Sequence, residues 1–103
     1  LAANGWWAEW RQALQQRAPH PDPKRDAYRL HNLAVANEAL AYETLKVDET
    51  DRLLQEAAAL LRQAIAAQKD EKRFTEALTR VSNTSLGYTR IRALLASISV
   101  ERE

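Results

Sequence analysis

Tyr28-Arg29-Leu30-His31-Asn32-Leu33-Ala34-Val35-Ala36-Asn37-Glu38-Ala39-Leu40-Ala41-Tyr42 is the stretch whose reading decides the fold. It has no Pro, no Gly and no run of charges. At about 100° per residue, its apolar positions fall into two arcs rather than one stripe. Ala27, Leu30, Leu33, Ala34, Leu40, Ala41 and Leu45 make the broad arc, and Tyr28, Val35, Ala39 and Tyr42 lie almost opposite. Polar residues occupy the seams, with Arg29, Asn32 and Glu43 on one and His31 and Glu38 on the other. A helix apolar on two sides is packed on two sides. This segment is therefore expected to be a middle helix, with neighbours before and after it in the chain.

Working outward, the sequence predicts an all-α fold of about four antiparallel helices over 5–18, 23–46, 49–69 and 71–99. Asn4 is the expected N-cap of the first, and Pro19 closes it. Its apolar side is Trp6, Trp7, Trp10, Ala13 and Leu14. Three Trp in one short helix either fill the gap against the next helix or leave Trp6 and Trp7 out to grip a partner, since aromatics are enriched at interfaces. Pro19-His20-Pro21-Asp22-Pro23 is a stiff linker, and Asp22 before Pro23 is a helix-start pair. Asp26 places a negative charge near the positive end of that helix.

Asp48-Glu49-Thr50-Asp51 reads as a turn and the start of the third helix. A calcium loop needs alternating oxygen ligands, a Gly turn and a distal Glu, and this cluster has no Gly. The third helix is one-sided, with Leu53, Leu54, Ala57, Ala58, Leu60, Leu61, Ala64 and Ile65 on one arc. Asp70 is expected to end it and cap the fourth, with Glu71 in the first turn. Phe74, Leu78, Val81, Ser85, Tyr88, Ile91, Leu95 and Ile98 hold one phase and predict a single helix. Ser82 to Ser85 and Gly87 are poor helix formers, so the prediction is a helix weak or bent near 82–87, with two shorter helices as the alternative. Ile91, Leu94, Leu95 and Ile98 extend past what a three-helix body covers and are expected to meet the first helix or something outside this chain, with Ile91, Leu95 and Ile98 as candidates for homo-oligomer contact.

The bulk numbers narrow the function classes. The chain has 103 residues, enough for a single small domain, and a formal net charge of +1. Such a balance argues against a nucleic-acid footprint or an anionic membrane as partner. Zero cysteines exclude a disulfide scaffold and a thiolate metal site, and two histidines with no matching carboxylate cluster suggest neither metal nor cofactor. No apolar run approaches the roughly 20 residues of a membrane span. The chain contains no Met, the pattern expected of a domain excised or processed from a larger protein.

Leu30, Asn32-Leu33-Ala34 and Ala36 resemble the first helix of a tetratricopeptide repeat, and Glu56-Ala57, Leu61 and Ala64-Ile65 resemble the second. Phe74 and Leu78 fall where a following repeat would begin. The resemblance covers about 26–80, with a hairpin at 26–69 flanked by further helices. It departs from the family in a spacing from Leu33 to Ala57 that is roughly ten residues long for a repeat of about 34. Ala34 also stands at the Gly position, Asn37 at the later aromatic and Lys69 at the closing Pro. The resemblance implies right-handed helical hairpins and a non-catalytic scaffold that binds a protein or peptide. Asn32 stands where some members turn an amide toward the bound peptide, or else it is a seam residue bonding a neighbouring helix. Arg29 lies on the same seam, and the two could act together on a carboxylate. Tyr42 either lines the groove or packs under the first helix. A structural spacer within a larger, envelope-associated protein is the other reading of the same pattern.

Arg25-Asp26-Ala27-Tyr28-Arg29-Leu30-His31 resembles the motif of HEPN-type ribonucleases, an Arg, a polar residue and a His six positions after the Arg. That resemblance implies Arg25 and His31 acting on a scissile phosphate. The pair comes early in the second helix and lacks a basic surface around it, so a non-enzymatic module is the expectation taken forward.

Overall fold

A computed structural model describes the backbone of residues 3–102 and the side chains of residues 6–84, 86–91, 93, 94 and 97. Four helices form, α1 (Ala3–Gln16), α2 (Pro23–Glu43), α3 (Val47–Ala67) and α4 (Lys72–Arg102), and no strand occurs among the described residues. Side-chain contacts fix their directions. Thr50 donates to the Ala41 carbonyl, and Gln68 reaches Tyr28 at the other end, so α2 and α3 are antiparallel. Thr89 donates to Asp51, which runs α4 back along α3. Tyr28 meets Phe74 while Glu38 meets Arg80, so α2 and α4 run parallel. Among the described residues α1 packs on α2 and makes no backbone approach to α3 or α4, so the far end of α4 does not meet the first helix there. The expected middle helix is thus flanked on both sides, by α1 on one and by α3 and α4 on the other.

The helix ends depart from the expected positions by a few residues, each for a local reason. α1 includes Asn4, whose helical backbone rules it out as the N-cap, a position that needs non-helical angles. The helix stops at Gln16 rather than 18 because the residue before Pro19 is steered away from helix. Asp22 caps α2 as predicted, accepting from Lys24 N–H at 3.0 Å with Pro23 in the first turn. α2 ends at Glu43, where Thr44 turns extended and its hydroxyl accepts from Lys46 N–H. Leu45 therefore leaves the apolar arc assigned to it and is 99% exposed.

The acidic cluster is not a turn. α3 begins at Val47, so Asp48 and Glu49 sit in its first turn, favourably placed against the helix dipole. Thr50 and Asp51 turn inward and are buried. At the next junction Glu71, not Asp70, takes the capping role, accepting from Arg73 N–H. α4 is one unbroken helix through 82–87, which removes the two-helix alternative. Thr75, Thr79 and Thr84 bond back to carbonyls of the preceding turn, satisfying hydroxyls that would otherwise compete with the helix. Val81 is buried and Tyr88 packs on the core, so tertiary anchors hold a segment of weak propensity.

The core repeats every seven residues on three helices. Ala27, Ala34 and Ala41 of α2 face Thr50, Ala57 and Ala64 of α3, all buried. Phe74 and Val81, with Tyr88 beyond them, run along α4. Leu53, Leu54 and Leu61 fill the space between these rows. Nearly the whole predicted apolar face of α3 is buried, with Leu60 and Ile65 at its margin. α1 contributes far less than its apolar load suggested. Leu14 is its one buried apolar side chain among the described residues, whereas Ala13 and Trp6 are exposed. Burying a Leu contributes about 2 kcal/mol, a modest hold for a whole helix.

Gly87 lies mid-helix in α4, and a Cβ built on it would meet nothing within 4 Å. Gly87→Ala is expected to raise unfolding stability by about 0.5–1 kcal/mol, through helix propensity and a less free unfolded chain. Urea denaturation followed by circular dichroism measures it, and an unchanged or lower midpoint would contradict the geometry.

Candidate functional site

The proline linker sets the first feature of the surface. Pro19 and Pro21 hold the chain extended as it turns from α1 into α2, and the two helix ends splay around it. The result is a groove of about 450 Å³ lined by Arg17, His20, Arg25, Asp26, Arg29 and Asn32, with the linker prolines as one wall. Arg29 and Asn32, the two residues singled out on the seam of α2, therefore open onto the same surface. Arg25 is 75% exposed and stands 3.9 Å from Asp22. Asp26 forms a two-pronged pair with Arg29, at 2.8 and 3.2 Å, and also accepts from His20 N–H. The Arg29 hydrogen bond is the main reason that the Asp26 carboxyl is held below its usual range. Asp26 thus neutralises Arg29 and ties the linker to α2, leaving Arg17 and Arg25 as the exposed positive charges of the groove, Arg25 in a loose surface pair with Asp22.

Tyr42 lies elsewhere. It is half exposed near the end of α2, and its hydroxyl donates to Glu38. Glu38 was placed on a polar seam by its spacing, yet its side chain is only 6% exposed. Arg80 of α4 grips both its oxygens at 2.6 Å. Burial alone would raise the Glu38 carboxyl, but the bonds from Arg80 and Tyr42 outweigh it and hold the group below its ordinary value. Besides Thr50, Asn37 and Asp51 are buried polar residues that spacing does not place inside. Asn37 accepts from Arg11 of α1 and donates toward Glu56 of α3, so one amide joins three helices. Asp51 accepts from Gln55 and from Thr89. Every buried side-chain polar atom among the described residues has a partner.

The remaining predicted residues separate. Trp6, Trp7 and Trp10 stack mainly on one another, with ring centroids 4.7 to 5.7 Å apart, and Trp6 is 51% exposed. His31 lies against Phe74 at 5.1 Å, on the side of α2 that faces α4. Burial is the main cause that lowers its pKa, opposed in part by the neighbouring Asn32 amide. Arg25 opens onto the linker groove instead, so Arg25 and His31 do not converge within one chain. Ile91 is exposed on α4, while the side chains of Leu95 and Ile98 lie outside the described residues. No three His, Asp or Glu side chains gather as metal ligands among the described residues. No described helix is long and apolar enough to cross a membrane.

Arg17, His20 and the prolines were missed as groove residues because each belongs to a helix end or linker, where periodicity carries no signal. The Asp26–Arg29 spacing, three apart on a helix, was the available hint. Compared with known protein families, curated proteins and solved structures, the chain has no match.

The Glu38–Arg80 pair makes a pH-dependent prediction. Arg80→Ala strands a buried carboxylate and is expected to cost about 2 kcal/mol at neutral pH. Glu38 has a lowered folded pKa, so the pair's contribution is fully present above the ordinary carboxylate value of 4.5 and is lost as pH falls through the lowered one. The difference between parent and variant should therefore shrink toward about pH 3. Urea unfolding at both pH values checks this, and a pH-independent difference would rule out the charge as its source.

Proposed function

We propose that this domain is a non-catalytic interaction module that takes an extended, acidic segment of a partner protein in the linker groove. The observation that carries the reading is that the surface bearing Arg29 and Asn32 is open. A spacer filled by its own helices would offer no such surface. The groove is lined by three arginines, of which Arg29 engages Asp26 and Arg25 pairs loosely with Asp22, so Arg17 is in excess. Its free charge is positive even though the chain as a whole is nearly neutral. Arg29 and Tyr42 use their polar groups inside the fold, so recognition falls on Arg17, Arg25 and Asn32, with Arg29 as the fixed floor. An arginine fork suits a carboxylate, and the prolines present a wall whose ordering entropy is already lost.

The tetratricopeptide-like arrangement belongs to the same proposal. Each helix packs on the next in chain order, and α2 and α3 form an antiparallel hairpin that spans most of the resembling region. A His31 seated against Phe74, away from Arg25, lends the ribonuclease reading no support.

Fluorescence anisotropy with labelled peptides tests the module. A Glu/Asp-rich peptide should bind and lose affinity as salt rises, while a Lys-rich peptide of equal length should not bind. Arg17→Glu combined with Arg25→Glu, both exposed, should weaken the acidic peptide at least about tenfold, or about 1.4 kcal/mol. Equal binding of both peptides, or a variant that binds like the parent, would sink the reading.

A further inference from the structure

Two apolar faces lie uncovered on opposite sides of the molecule. α1 packs chiefly on α2 and α4 chiefly on α3, and among the described residues α1 and α4 make no backbone approach. On α1 the uncovered face is centred on Trp6, 51% exposed, with the half-buried Trp7 and Trp10 stacked beside it. On α4 it is Leu86, Ile91 and Leu94, of which Leu94 is 64% exposed. Isolated exposed apolar residues are ordinary, but a contiguous aromatic patch marks a contact surface.

The charges decide what covers them. Glu9 is the one acidic residue of α1, and it is exposed beside the Trp cluster, whereas Arg11 is engaged by Asn37 and Glu56. Along α4, the segment 86–97 carries Arg90 and Arg92 and no acid. Pairing α4 with α4 would set arginine against arginine, and pairing α1 with α1 would set Glu9 against Glu9. Among the described side chains of these two faces, opposite charges meet only when α1 packs on α4, and there Arg90 also meets indole faces. The lengths agree as well. Asp51 near the start of α3 bonds Thr89, and α4 continues from there to Arg102, a stretch as long as the 14 residues of α1 and about 21 Å.

We propose that the domain associates head to tail with further copies of itself, the Leu86–Ile91–Leu94 face of α4 in one copy packing on the Trp face of α1 in the next. The contact continues the α1-to-α4 order of packed helices from one chain into the following one. It is heterologous, so each dimer keeps one free face of each kind and the assembly grows in steps. It is independent of the linker groove, whose residues belong to neither face.

Sedimentation velocity across a concentration series tests the proposal with two face-blocking variants, Trp6→Glu and Leu94→Glu, both at exposed positions. The parent should form species larger than a dimer as concentration rises, and each variant alone should stay monomeric. An equal mixture should form a dimer that grows no further, because each partner supplies the face that the other lacks. Circular dichroism checks that both variants keep their helix content. Should either lose it, the exposed charges replace them. Glu9→Arg and Arg90→Glu should each weaken association about tenfold, and the two in one chain should restore it. A parent that stays monomeric to about 1 mM, a mixture that does not dimerise, or association blocked by Leu94→Glu but not by Trp6→Glu would each overturn the head-to-tail contact.

Discussion

Small residues on the α2–α3 seam are the constraint from which the rest of the architecture follows. Ala27, Ala34 and Ala41 face Thr50, Ala57 and Ala64, and none is large enough to fill a core alone. Such a seam lets two backbones approach closely, but it supplies little apolar volume. The volume comes from one helix further along the chain. Leu53, Leu54 and Leu61 meet Val81 and Ala77 of α4, and Phe74 closes the end where Ala27 and Ala64 meet. α2 and α3 therefore need α4, and the long fourth helix stays intact across poor helix formers because its anchors lie on both sides of them.

Buried polar groups then set how these helices align. Glu38, Asn37, Thr50 and Asp51 are each buried, and each has a partner on another helix. A slip of one helix by a residue would leave a carboxylate or amide without its partner, at a cost of about 1–3 kcal/mol for each. Alanine gives the helices proximity, and the polar groups give them register.

α1 obeys different rules from the other three. It is attached by Leu14 and by the Arg11–Asn37–Glu56 bonds, and its largest side chains stack on one another rather than in the core. The proline linker, pinned by the bond of His20 to Asp26, compensates by limiting where α1 can go. The same pinning creates the positive groove, because Asp26 neutralises Arg29 and leaves Arg17 and Arg25 facing outward. A charged recognition surface thus arises in a nearly neutral chain from local bookkeeping of ion pairs, which composition averages away.

The number of helices, their approximate spans, the two-sided character of α2 and the apolar face of α3 were all legible in the residues. Those features follow from the periodicity of helical geometry, which is a local property. The Asp22-Pro23 start was legible for the same reason, since a cap acts within one turn. The sequence did not determine that Glu38 faces Arg80, that Asn37 joins three helices, or that Thr50 and Asp51 turn inward. Each depends on a partner between 9 and 42 residues away, and spacing says nothing about so distant a group. For the candidate site, Arg29 and Asn32 were visible as a seam, but Arg17, His20 and the groove itself were not. A groove exists only where two helix ends and a linker converge, so tertiary structure alone decided its shape and its charge. The separation of Arg25 from His31 and the exposure of Trp6 were decided in the same way. Helical phase placed each of these side chains on a face of its own helix, and only packing decided which faces were covered.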